Sequence, residues 1–410
     1  MTHLQVEASP ESVGMSSARL ARIGSHFQSY IDDGRLPGWQ ITVARHGKIV
    51  HQQIAGHRDI AGGKPVEADT IWRIYSMTKP ITAVLALQLW EEGAFELNDP
   101  VHAFLPAFGE VKVWRGGTVE APELDSLTAK LSIWQLLTHT SGLTYGFMRA
   151  HPVDALYRQA GFDFGVPPGL DLQAMCDTIA TLPLLFQPGT AWNYSVGFDV
   201  LGRLLEVVSG QTLDELMHTR LLEPLGMHET TWHVPEANQA RLARLYGADP
   251  STGKAVALDQ IGESARQQPR FLGGGGGMQS TAYDYNRFAQ MLLNGGELGG
   301  VRILSPRTVR YMVSNHLPGN VDLTTFGRPL AGTVGDGVGF GLGVSVVIDP
   351  VKAHVPGNVG DFAWGGAAST VFWVDRVDQL IVQFFTQLLP SSTLPLRSQL
   401  KQLVYQALID

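Results

Sequence analysis

Apolar and polar residues alternate along WQITVARHGKIVHQQIAG, residues 39–56, on both sides of His46-Gly47. A period of two sends successive side chains to opposite faces, so this stretch predicts two strands joined by a hairpin turn. After Pro80 the period changes. Ile81, Val84, Leu85, Leu87 and Trp90 cover most of a helix surface, as expected where a helix is buried on nearly all sides, and Gly93 closes it. From about residue 96 to 330 come helical pieces separated by Pro/Gly loops, among them IWQLLTHTSGL, FDVLGRLLEVVSG and QTLDELMHTRLLEPLGM. In the last of these Thr212 and Glu215 have capping-box spacing. Period-two strands return at GVGFGLGVSVVID (337–349) and in TVFWVDRVDQLIVQFFTQ (370–387), whose two β-rich runs meet at a charged turn. A final helix puts Leu396, Leu400, Leu403, Val404 and Ala407 on one face, ready to cover a sheet. Strands at both ends with helices between them predict an α/β (α+β) fold. Residues 1–95 and 330–410 form one expected domain, and a mainly helical domain of residues 96–329 is inserted into it.

The chain has 410 residues, 44% hydrophobic and 17% charged, which fits a globular protein of two or three domains. Its formal charge of −8, with no Lys/Arg cluster, repels polyanions and excludes a nucleic-acid partner. The single Cys176 cannot form an internal disulfide, and the first twenty residues lack the cationic and apolar parts of a secretion signal, so a cytoplasmic location is expected. The most apolar run, ITAVLALQLW, is about half of the ~20 residues that a membrane span needs. No membrane partner is expected.

Ser-x-x-Lys occurs three times, at Ser76/Lys79, Ser251/Lys254 and Ser398/Lys401. Ser251 lies in a DPSTGK turn, and Ser398 and Lys401 sit on the polar side of the terminal helix. Ser76 differs, because the apolar Ile71, Trp72 and Ile74 lead straight into the buried helix. At a helix N-terminus free N–H groups and the macrodipole favour negative charge on a nucleophile or an acyl oxyanion. Lys79 lies about one turn on, and burial would lower its pKa until the neutral amine can take a proton from serine. From these residues alone, a Ser76 N-cap with Lys79 reaching for solvent also fits.

Further motifs follow in order: LLTHTSGL, Tyr194 in PGTAWNYSVGFDVLG, GGGGMQSTAYDYNRFAQMLL, and Trp364-Gly365-Gly366 in FAWGGAAST before a β run. With Ser-x-x-Lys at their head, they resemble the serine β-lactamase and penicillin-binding-protein superfamily over nearly the whole chain. The likeness is closest to family VIII carboxylesterases and lovastatin-type acyltransferases. It implies a β-lactamase-like antiparallel sheet flanked by helices, with the active site in the cleft between the two domains. By resemblance Ser76 is the acylated nucleophile and Lys79 its base. Tyr194 relays the proton to the leaving alcohol, and the amides of Ser76 and Ala367 form the oxyanion hole. Tyr194 suits acid/base work only beside a cation, which Lys79 would supply, and Gly365-Gly366 lets backbone approach a ligand closely.

The pattern departs from the β-lactamases in two places. Tyr194-Ser195-Val196 replaces Tyr-x-Asn or Ser-x-Asn, and Trp364-Gly365-Gly366 replaces Lys-Thr-Gly. The lost lysine would have held a carboxylate, whereas an indole offers an apolar wall to an uncharged ester. The expected protein is therefore a serine carboxylesterase for small, short-chain esters, with Trp364, Gly365 and Gly366 contacting substrate. Acyl transfer by the same residues, or a β-lactamase or D-aminopeptidase-type activity, are the alternatives, and a binding module is the non-enzymatic one. His139 reads as structural, and Asp199, five residues after Tyr194, as a solvated or locally bonded acid, with orientation of the site as the alternative. His228 and His233 are five apart, one too many for His-Glu-x-x-His, so no metal site is expected, and no cofactor. The run Gly273–Gly277 lacks the Lys-Ser/Thr ending of a phosphate loop, and no Gly-x-Ser-x-Gly elbow occurs.

Overall fold

The computed structural model describes residues 3–328 and 335–410, so the expected domain boundary at 329/330 lies outside the described residues. The hairpin at His46-Gly47 forms β1 (Gly38–Arg45) and β2 (Lys48–Asp59), and Lys64–Pro65 adds β3. The C-terminal runs give β4 (Val338–Phe340), β5 (Ser345–Val347), β6 (Phe362–Gly365), β7 (Val371–Asp375) and β8 (Leu380–Phe385). These eight strands make one sheet in the order β4-β5-β6-β7-β8-β1-β2-β3, antiparallel throughout, and β8 joins its halves by pairing Phe385 with Gln40 and Leu380 with Arg45. Strands from both chain ends thus share one sheet, which is the antiparallel α/β architecture expected.

Both faces of the sheet are covered at its centre, so β7 and β8 carry apolar residues at nearly every position. Trp373, Val382 and Phe384 face the layer of α1 (Ser17–Asp32) and the C-terminal helix, while Phe372, Val374, Ile381 and Phe385 face the main core. Phe27 of α1 packs its ring on Trp39 and Phe384 at 6.1 and 5.2 Å, and burying one such side chain is worth about 2–3 kcal/mol.

In the main core lie α2 (Thr78–Glu91), α3 (Gly197–Ser209) and α4 (Ala282–Leu293), and the C-terminal helix α5 (Leu396–Tyr405) closes the order. Every residue of α2 from Thr78 to Leu87 is buried, Lys79 included. The expected helical insertion also contains a hairpin, Lys112–Gly117 with Pro122–Ser126. Its second strand is exposed at all five positions, so no alternating apolar face marked it in the sequence. No helix among the described residues is long and apolar enough to cross a membrane.

Candidate active site

Ser76 sits in a 3-10 turn, Tyr75–Met77, that feeds directly into α2. The residue before it, Tyr75, has φ 45°, a left-handed conformation that costs a non-glycine residue about 1–3 kcal/mol and that the surrounding packing must hold. Two contacts supply that hold: Ile74 N donates to Met278 O at 3.0 Å, and the Tyr285 hydroxyl of α4 donates to Met77 O at 2.9 Å. The Ser76 side chain caps nothing. Its Oγ accepts from the Tyr194 hydroxyl at 2.6 Å and stands 3.4 Å from Lys79 Nζ. The structure therefore brings Ser76, Lys79 and Tyr194 together, although 118 residues separate Tyr194 from Ser76.

Lys79 has further partners that sequence reasoning missed. Its Nζ donates to Gly275 O at 2.7 Å and to the Tyr145 hydroxyl at 3.2 Å, and it lies 4.5 Å from the centre of the Tyr194 ring. Burial lowers the Lys79 amine to about 7, with Asp199 opposing the shift. Burial raises the Tyr194 phenol, so it is protonated at neutral pH. Tyr145 stands two residues past LLTHTSGL, where one loop tyrosine carries no periodic signal.

The run Gly273–Gly277 supports Lys79. Thr82 Oγ1 donates to Gly274 O at 2.8 Å, Trp232 Nε1 to Gly273 O at 3.0 Å, and Gly275 N to Asp199 Oδ1 at 2.9 Å. Asp199 is thus a buried acid whose carboxylate anchors the peptide that grips Lys79, and not a solvated one. His139 is buried beneath Tyr194, 4.8 Å between ring centres, with Nδ1 3.1 Å from Ser195 Oγ. Burial and the neighbouring Lys79 hold it well below its ordinary range, so it is neutral and part of the packing.

Trp364, at the end of β6, packs against Phe340 and Tyr194 at 5.3 and 5.8 Å and lines the cavity. After it the chain turns at Gly366. A Cβ there would stand 2.4 Å from Ile74 O, so only glycine lets this turn lie against the turn that carries Ser76. Ala367 follows, lining the same cavity as Ser76. Among the described residues neither the Ser76 nor the Ala367 amide has an internal acceptor. Both are free to donate to a bound oxygen.

The cavity has a volume of about 970 Å³, at the upper end of ordinary ligand pockets. Its walls include Phe147, Met148, Phe162, Phe164, Val196 and Phe271. A nucleophile flanked by a lowered amine and two free amides, at the floor of an apolar chamber, is equipped for acyl transfer.

The family described as Beta-lactamase matches residues 23–406. The chain belongs to this family. Protein Rv1367c of Mycobacterium tuberculosis is 36% identical over 88% of this chain and 88% of its own length. Esterase EstB of Burkholderia gladioli is 30% identical over 92% and 93%. Among solved structures, EstCE1, a hydrolase with promiscuous acyltransferase activity, superposes with a TM-score of 0.79 at 26% identity, covering 95% of this chain and 99% of that one. With relatives named as esterases and acyltransferases at such coverage, this family member is an enzyme of the serine hydrolase type, acting through an acyl-enzyme as hydrolase or acyltransferase.

Proposed function

We propose that this enzyme is a serine carboxylesterase that hydrolyses small, short-chain carboxylic esters through an acyl-enzyme on Ser76. One observation carries the reading: a single hydroxyl has a protonated phenol at 2.6 Å and a lowered amine at 3.4 Å. A neutral amine has two N–H bonds and one lone pair. The N–H bonds of Lys79 are taken by Gly275 O and the Tyr145 hydroxyl, which leaves the lone pair for the Ser76 O–H. With the amine lowered to about 7, the neutral form is accessible at neutral pH.

As Ser76 Oγ bonds to the ester carbon, its proton passes to Lys79, and the carbonyl oxygen becomes an anion held by the Ser76 and Ala367 N–H groups. Collapse breaks the ester C–O bond. The departing alkoxide takes the Tyr194 proton, which Lys79 replaces, and water then attacks the acyl group with the same proton path in reverse. The apolar wall of Trp364, where β-lactamases carry a cation, supports an uncharged ester at that point of a cavity whose lining also includes Arg328 and Arg397.

Acyl transfer is the second reading, favoured by the apolar walls and by the acyltransferase relatives. Mass spectrometry after a p-nitrophenyl butyrate pulse tests the first step: a butyryl group on the Ser76 peptide is expected, and labelling elsewhere overturns the assignment. The same ester with and without added alcohol separates hydrolysis from transfer by product ratio. Turnover of cephalosporins or D-amino-acid amides above that of butyrates would favour the hydrolase alternatives.

A further inference from the structure

The turn that carries Ala367 is tied to the C-terminal helix by one side chain. Arg397, in the first turn of α5, donates from Nη2 to Gly366 O at 2.9 Å and to Thr370 O at 3.2 Å. Its charge is met by these carbonyl dipoles, and its Nε is buried with no hydrogen-bond partner among the described residues. The side chain lies across the end of β6, where a Cβ on Gly365 would stand 2.5 Å from Nη2. Taking a cation even partly out of water is costly: the half-buried side chain, on the wall of the cavity, is lowered to about 10 by desolvation. A group retained at that cost calls for a use.

The peptide that it grips supplies one. Gly366 O also accepts from Ser369 N at 3.2 Å, and Gly366 N donates to Thr370 O at 2.9 Å, so residues 366–370 form a closed turn. A trans peptide points its C=O and the following N–H in opposite directions. Fixing Gly366 O against the guanidinium therefore fixes the Ala367 N–H, and turns it away from Arg397. A cation on the carbonyl oxygen also draws electrons through the amide and strengthens the N–H as a donor.

We propose that Arg397 is a positioning residue for the ester-cleaving reaction: by holding the Gly366 carbonyl it aims and polarises the Ala367 N–H that receives the oxyanion. This rests on the proposed esterase reading, in which the Ser76 and Ala367 amides receive that charge. Arg397 lines the cavity, but in this role it acts through the Gly366 peptide, so its effect belongs in the rate of the chemical step, and a change in KM alone would make it a substrate contact instead.

The test uses Arg397→Met and Arg397→Lys in the full chain, with a butyrate ester and its thionoester, whose sulfur accepts hydrogen bonds poorly. One misdirected oxyanion donor is worth up to about 10²–10³ in rate, so Arg397→Met is expected to lower kcat for the oxoester about 10- to 100-fold. KM should stay within about threefold, and the oxoester/thionoester rate ratio should shrink about tenfold, because the thionoester gains less from the donor. Arg397→Lys, which keeps a cation at shorter reach, recovers part of both, and it reads the same ratio if the Met variant does not fold. Thermal unfolding reports the fold of each. A wild-type kcat in folded variants overturns the proposal, as does a fall in kcat with the rate ratio unchanged, since general loosening slows both substrates alike. Butyryl labelling of wild-type Ser76 is measured first. Its absence counts against the esterase reading itself, whereas labelled Ser76 with an unaltered ratio removes only the role of Arg397.

Discussion

Two clusters of buried polar groups flank the sheet, and they differ in what surrounds them. On one side Ser76, Lys79, Tyr145, Tyr194 and Asp199 meet at the floor of the cavity. Under α5 the Tyr405 hydroxyl lies 2.7 Å from Asp361 Oδ2 and 3.0 Å from Asp375 Oδ2, and Asn358 Nδ2 donates to Asp375 and Asp378 at 2.8 Å each. Each cluster contains a group moved to about 7 chiefly by burial, Lys79 downward and Asp361 upward. The first places a serine hydroxyl at a cavity, and none of Asp361, Asp375 or Tyr405 lines that cavity. A displaced pKa therefore marks burial, and it marks chemistry only where a nucleophile and room for substrate accompany it.

Substitution separates the clusters most sharply at the nucleophile. Ser76→Ala is expected to lower kcat/KM for p-nitrophenyl butyrate by at least about 10⁴-fold, the scale seen when a covalent nucleophile is removed. Asp361→Asn should leave kcat/KM within about threefold. A comparable loss in both variants would abolish the distinction.

Lys79 gives the next largest effect. Lys79→Met should cost about 10³-fold and Tyr194→Phe about 10²-fold, each removing one proton-transfer group. The pH profile sharpens this. In the proposed mechanism Lys79 works as the neutral amine, so kcat/KM should rise with pH through about 7 with the slope of one proton and then level off, because Tyr194 is raised and keeps its proton. Activity undiminished at pH 5 would remove Lys79 from the role. Tyr145→Phe takes away one acceptor that turns the Lys79 lone pair toward Ser76. A loss of about tenfold in kcat with little change in KM is expected, and a changed KM alone would make Tyr145 a substrate contact.

The sheet was readable because β1 and β2 alternate with period two and β7 and β8 are short β-rich apolar runs, and the buried helix because no polar stripe interrupts Ile81 to Leu87. The approach of Lys79 to Ser76 was readable because the pair is local, three residues apart at a helix entrance. Tyr194 needed the ordered motifs. The remaining residues act across long separations: Arg397 meets Gly366 from 31 residues away, and on α5 it reads as an ordinary polar position. Asp199 reads in the sequence chiefly as a solvated or locally bonded acid. Its true partner is an N–H of a glycine run that no period marks. What local pattern cannot express is which backbone amides the fold leaves without partners, and in this site those amides decide where the side chains go.

The smallest expected effect probes the silent cluster by stability. The native Asp361 carboxyl is raised to about 7, first by burial and then by Asp375, whereas in the unfolded chain it ionises near the ordinary ~4. Between those values the native state holds a proton that the unfolded state has lost. The stability from this group is therefore complete below about pH 4 and disappears as pH rises through about 7. At pH 8 the native state must bury an ionised Asp361 beside Asp375, and Asp361→Asn removes that repulsion. The variant should be more stable than wild type by about 1–3 kcal/mol at pH 8, with the advantage shrinking toward zero or reversing near pH 4.5. Lys79 contributes a pH dependence of the opposite sign above 7, but it is present in both proteins and cancels in the difference. Urea unfolding of the pair at the two pH values measures it. An advantage that does not change with pH would mean that Asp361 is already ionised in the folded protein, so that the second cluster is an ordinary set of hydrogen bonds and the active site holds the larger displaced charge alone.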